Sequence, residues 1–198
     1  MAFRPIAEAR IAAGAALLLG GMCASALTIS GPGDVSASAQ ECTRLLQAQD
    51  AGSVQACKLQ LDQANAAPPT ERMARIVAND EYGIALLAYG HAPRQGLEAF
   101  DREIGMLPAS TVKPDSLQWA VAYWHRATAY QQLGQLDSAI QDLRTAEDTL
   151  RKAAETSAND TQRKQHFEEL RKRVVAQHAG LLERQGKHAE AKRVLRAE

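Results

Sequence analysis

SLQWAVAYWHRATAYQQLGQLDSAIQDLRTAEDTL, residues Ser116 to Leu150, has the pattern of two helices joined by a tight turn. Ser116, or Asp115 before it, is placed to cap a helix that runs through Leu133. Gly134 stops that helix, because glycine takes the left-handed backbone that closes a helix at little cost. From Leu136 to about Glu155, Ala139, Ile140, Leu143, Ala146 and Leu150 recur three to four apart, which places them on one buried helical face. Two helices joined by so short a turn pack as an antiparallel hairpin. Ala127 and Ala139 are small where the helices cross closely, and Tyr130 and Leu143 fill the space beside the crossing.

The mutual spacing of Tyr123, Ala127, Tyr130, Gly134, Leu136, Ala139, Leu143 and Ala146 resembles the tetratricopeptide repeat (TPR), a family of stacked 34-residue helix pairs. Val175, Ala179, Leu182, Gly186, His188, Ala191 and Leu195 repeat much of the pattern. Tyr82, Leu86 and Tyr89, followed after a one-residue insertion by Ala99 and Met106, suggest an earlier, degenerate repeat. Equivalent alanines Ala99, Ala139 and Ala191 lie 40 and 52 residues apart, so the helices or loops between repeats are longer than in a regular array. The resemblance covers about residues 80–198.

On either side of this stretch no segment shows the period-2 alternation of a strand. Ala66-Ala67-Pro68-Pro69-Thr70 closes a first hairpin, with Thr70 as the cap of the next helix. Met73, Ile76, Val77, Ile84, Leu87 and Ala88 share a helical face up to Tyr89. Gly90 to Gln95 forms a turn, and Leu97, Phe100 and Ile104 mark a helix ended by Pro108. Asp160 caps a long helix carrying Phe167, Leu170, Val174, Val175, Leu181 and Leu182. Gly186 turns the chain into a last short helix with Ala191, Val194 and Leu195. The expectation is an all-α fold of eight helices in four antiparallel hairpins, stacked as the resemblance implies into a short right-handed TPR-like solenoid. Its parts are a hairpin at 40–69 and repeats at 70–198, with hairpins at about 71–107, 116–155 and 161–198.

Residues 1–39 read as a secretory signal peptide. Arg4 and Arg10 supply a positive start, 11–29 is a long uncharged run, and Ala37-Ser38-Ala39 offers a small-x-small site with cleavage expected before Gln40. Ala24-Ser25-Ala26 is a second site. Cys23 follows Met22 rather than a small residue, which argues against lipid attachment. The expected location is periplasmic or secreted, with no membrane insertion once the signal is removed; the alternative is an inner-membrane anchor formed by 11–29.

Cleavage leaves Cys42 and Cys57, an even number in an oxidising compartment. With helices at Cys42–Gln49 and Ser53–Ala64 joined at Asp50-Ala51-Gly52, the two cysteines lie nearly equidistant from the turn. A disulfide stapling the first hairpin is expected, closing a loop of about 15 residues worth roughly 3 kcal/mol in the chain-entropy model.

Lys plus Arg and Asp plus Glu number 23 each, so no overall field points to nucleic acid or a membrane surface. GxSxG, Walker A, HExxH and paired CxxC are absent, and no enzyme, cofactor or metal is expected. His166 with Glu169, and His178 with His188, are candidate metal ligands; no third ligand accompanies either pair, so solvated or core-edge histidines are the simpler reading. Asn159-Asp160-Thr161 matches a glycosylation sequon but reads more simply as a helix start. Arg163 to Arg196 holds ten basic residues against four acidic ones, a solvated face or a site for an acidic or anionic partner.

In TPR-like proteins the first helix of each pair lines the concave side where peptides dock. The resemblance places Val121, Trp124, His125, Thr128, Gln131 and Gln132 there, with Arg173, Gln177 and Arg184 from a second helix. Trp124 is either an exposed anchor of that groove or a residue packed between hairpins. The function this implies is a periplasmic or envelope adaptor that binds another protein or peptide non-covalently. The alternative is a self-assembling envelope protein, a homo-oligomer formed through the C-terminal hairpin, where Val194 and Leu195 lack a covering helix.

Overall fold

A computed structural model describes residues 37–114 and 116–196. The signal-peptide features and the apolar run at 11–29 fall outside the described residues, apart from Ala37 to Ala39. Eight α-helices run through the described residues, which contain no strand: α1 (Ala37–Gln47), α2 (Ser53–Ala66), α3 (Arg72–Ala88), α4 (Pro93–Met106), α5 (Leu117–Gln132), α6 (Leu136–Thr156), α7 (Thr161–Arg184) and α8 (His188–Arg196), with a 3₁₀ turn at Leu107–Ala109. None of these helices is long and apolar enough to cross a membrane. Each packs on its neighbours in chain order, and α1 also touches α3, and α3 touches α5.

The turns after α5 and α7 share one physical device. Gly134 (φ 75°) and Gly186 (φ 73°) are left-handed. Gln135 N–H donates to Tyr130 C=O at 2.9 Å and Gly134 N–H to Gln131 C=O at 3.1 Å; Lys187 to Leu182 and Gly186 to Glu183 repeat the pair. These bonds satisfy carbonyls that a helix end would otherwise leave open. Ala127, Ala139, Leu143, Ala146 and Ala191 are fully buried, as close helix crossing requires. One core runs from α5 through α8, joining Trp124, Leu143, Leu150, Phe167, Leu170 and Leu182.

The α3–α4 crossing uses glycine instead of alanine. A Cβ at Gly83 would come within 2.5 Å of the Phe100 ring, and one at Gly96 within 2.9 Å of Leu87 Cδ2. Phe100 has no exposed surface and sits in the core shared with Ile84, Leu87, Leu46 and Ala129. Bare glycine backbone is what lets so large a ring enter the crossing.

Several local expectations shift. α1 already includes Ala37, ahead of the expected Cys42, so the small-residue site before Gln40 is helical, and there Ser38 Oγ donates to Gln63 Oε1 at 2.5 Å. Thr70 caps nothing; Glu71 holds the N-cap position of α3. α4 starts at Pro93, inside the expected turn, because proline's fixed φ and missing N–H suit the first helical position. The left-handed residue of that turn is His91 (φ 47°). Asp160 does cap α7, accepting from Arg163 N–H at 2.9 Å.

Cys42 on α1 and Cys57 on α2 are both fully buried, their sulfurs 2.01 Å apart and their Cα atoms 4.7 Å apart, at disulfide-bonding distance.

Candidate functional site

The nine residues expected to line a groove on α5 and α7 divide into two groups. Trp124 and His125 are buried, at 3% and 2% exposure, so of the two alternatives for Trp124 the packed one holds. Its indole packs into the α5–α8 core, and Nε1–H donates to Gln177 Oε1 at 2.6 Å. Gln177 Nε2 in turn donates to Gln131 Oε1 at 2.8 Å and reaches Thr128 Oγ1 at 3.5 Å. Trp124, Thr128, Gln131 and Gln177 are thus brought together as a hydrogen-bonded seam between α5 and α7. Gln132, Arg173 and Arg184 are exposed, and Val121 is half-buried. A tryptophan placed under a polar seam satisfies its one donor while burying its rings, which an open groove would not allow.

His125 belongs to a different cluster. Its Nδ1 lies 2.5 Å from Asp80 Oδ1 on α3, and its ring lies 5.7 Å from that of Phe100. Glu103 on α4, with no exposed surface, accepts from Gln118 Nε2 at 2.6 Å. Burial, reinforced by the neighbouring Asp80 carboxylate, pushes the Glu103 carboxyl well above the ordinary range; the Gln118 hydrogen bond pulls it partly back. The fold therefore favours the neutral acid more than water does. A histidine held by a carboxylate is also the arrangement of a general base. Here the imidazole is walled into the core, and Nε2 has no hydrogen-bond partner among the described residues.

A similar polar layer lies between the first two hairpins. Glu81 accepts from Thr43 Oγ1 and Gln60 Nε2, each at 2.7 Å, and burial raises its pKa against the pull of those two bonds. Arg126 ties the third hairpin together from outside: it forks onto both oxygens of Asp142 at 2.7 and 2.8 Å and reaches Asp101 on α4 at 2.9 Å. Its guanidinium also stacks 5.3 Å from the Tyr123 ring centroid and 5.7 Å from that of Tyr130. The Asp142 carboxylate raises the Arg126 pKa, so it stays charged.

The sequence reading missed Asp80, Glu81, Glu103 and Gln118. The available signal was their register: Asn79-Asp80-Glu81 interrupts the apolar run between Ile76 and Ile84, and Glu103 follows Phe100 by three positions, on the same face. The histidines weighed as ligands stay apart. His178 is buried with Nδ1 3.5 Å from Glu147, whereas exposed His188 bonds Glu183. Among the described residues no group of three His, Cys, Asp or Glu is arranged to hold a metal. An open polar cleft of about 460 Å³ lies between α2, α3 and α4, lined by Lys58, Asp62, Tyr82, Glu98 and Arg102.

Comparison of the chain with protein-family models, with curated proteins and with solved structures returns no match.

Proposed function

We propose that this chain is a short, TPR-like right-handed solenoid that is exported and acts as an adaptor, binding another protein in the groove along the first helices of its hairpins. The observation that carries this reading is the packing order. First helices α1, α3 and α5 touch in succession while every helix also packs on its chain neighbour, as stacking of hairpins requires. The buried crossing residues Ala127, Ala139, Ala179 and Ala191 support the repeat assignment. The bonded positions of Cys42 and Cys57 are compatible with an oxidising compartment. Purification from the native cell after crosslinking, with the attached chain identified by mass spectrometry, tests the adaptor role. A protein recovered without any other chain attached contradicts it.

Self-assembly through the last hairpin is the second reading, favoured by Leu195 on α8, which is 50% exposed. Val194 beside it packs onto the core, so the uncovered apolar surface is small. Light scattering at high concentration separates the two: a single monomeric species removes the self-assembly reading.

A further inference from the structure

The cleft between α2 and α4 lies outside the first-helix groove, because these are the second helices of the first two hairpins. From α3, Tyr82 supplies its floor, packed on Leu61, Ala64 and Ala78. Its volume of about 460 Å³ falls in the range of small-ligand pockets. The charged side chains around it balance, Lys58 and Arg102 against Asp62 and Glu98. Lys58 and Asp62 pair with each other along α2, which leaves Glu98 and Arg102 on the α4 wall. A glutamate four residues ahead of an arginine is the helical order that favours an ion pair, yet these two do not pair. Arg102 is held elsewhere. Its Nε donates at 3.2 Å to Oδ1 of buried Asn79, whose Nδ2 donates in turn to Arg75 C=O at 2.8 Å. Engaging Nε leaves both terminal nitrogens of the guanidinium free to fork onto a carboxylate. Among the described residues Glu98 has no ion-pair partner and the Tyr82 hydroxyl no hydrogen-bond partner.

We infer that this cleft binds a free zwitterionic dipeptide, its ammonium on Glu98, its carboxylate on Arg102 and its apolar side chains over Tyr82 and Leu61. The charge balance selects the class. A phosphate dianion on Arg102 meets the Glu98 carboxylate, and a dication on Glu98 meets the guanidinium, whereas a zwitterion satisfies both. The helix selects the length. Glu98 and Arg102 stand roughly 6 Å apart along α4. Two extended residues span about 7 Å, and a single amino acid is too short to reach both side chains. Asn79 is then a positioning residue, holding the guanidinium away from Glu98 before any ligand arrives. This inference is independent of the groove proposed above.

The test is titration calorimetry of the full chain at neutral pH with L-alanyl-L-leucine. Leucine, N-acetyl-alanyl-leucine and alanyl-leucine amide serve as comparisons. The dipeptide is expected to bind saturably with Kd below about 1 mM. Each comparison should bind roughly tenfold more weakly, since it lacks one charged contact or the reach to make both. Glu98→Gln should weaken the dipeptide roughly tenfold and leave N-acetyl-alanyl-leucine, which has no ammonium, within a few-fold. Arg102→Gln should do the same to the dipeptide and spare the amide, which has no carboxylate. Both side chains are exposed, so these variants keep their helix content by circular dichroism. A Kd above about 1 mM, or no saturable heat, overturns the inference. So does equal binding of capped and free dipeptides, or leucine binding as tightly as the dipeptide. Dipeptide binding that either variant leaves unchanged also overturns it, because the peptide is then held elsewhere.

Discussion

Trp124 Nε1 donates to Gln177 Oε1 across 2.6 Å, joining two helices through residues 53 apart in the chain. The bond turns a residue that the repeat pattern would place in an open groove into a buried strut between the third and fourth hairpins. Trp124→Ala should therefore cost about 3–5 kcal/mol of unfolding free energy, as loss of a packed aromatic does. Chemical denaturation measures it. A change below about 0.5 kcal/mol, the usual effect of a surface substitution, would show that Trp124 stands outside the core.

Gln177→Ala leaves the indole N–H without its partner. The expected cost is about 1–3 kcal/mol, accompanied by a red shift of tryptophan emission as water reaches the seam. Trp119 also emits, so the shift is read in a Trp119→Phe background. Unchanged emission and stability together would place the seam in solvent already.

The legible part of this fold was its periodicity. Gly134, Ala127, Ala139 and Leu143 announce a hairpin because turn chemistry and close crossing each need a particular kind of residue, and the structure buries or bends each one accordingly. What spacing alone left open was direction in space. Trp124 sits where a groove residue would, and only the arrival of Gln177 from α7 decides that it is covered. The buried acids were harder still, since Glu103 and Gln118 are partners through folding and not through sequence proximity. Gly83 went unread for the same reason: its need for glycine comes from Phe100 on the next helix.

Gly83 and Gly180 make opposite predictions. At Gly83 a methyl group meets the Phe100 ring, so Gly83→Ala should destabilise by about 1–3 kcal/mol despite alanine's better helix propensity. Gly180 is exposed in α7 with open space around a Cβ, and Gly180→Ala should stabilise by about 0.5–1 kcal/mol. Thermal or urea unfolding of the two variants checks the signs. Equal effects at both positions would contradict the Gly83–Phe100 contact.

Glu103 should make stability fall with rising pH. Its folded pKa is raised, so the folded chain holds the proton more tightly than the unfolded one. That contribution is complete below the ordinary glutamate value of about 4.3 and is lost as pH rises through the folded value. Glu81, raised in the same direction, adds to the trend. Glu103→Gln keeps an acceptor for Gln118 and removes the titration, so its stability should decline less between mildly acid and mildly alkaline pH. Parallel curves for the parent and Glu103→Gln would show that the carboxyl is solvated.

Cys42→Ser combined with Cys57→Ser, or reduction of the native chain, should lower stability by roughly 3 kcal/mol if loop closure in the unfolded state dominates. Alkylation of the unreduced protein should find neither thiol. Two labelled cysteines would rule out the staple.

On the function proposed above, partners dock along the first helices. Photo-crosslinking residues introduced one at a time in the native cell test it most directly, at Gln132 and Arg173 on the proposed face and at Arg144 and Lys152, exposed on α6. A crosslinked partner is expected from Gln132 and Arg173 and none from Arg144 or Lys152. Crosslinks confined to the α6 positions, or equal from all four, would contradict it.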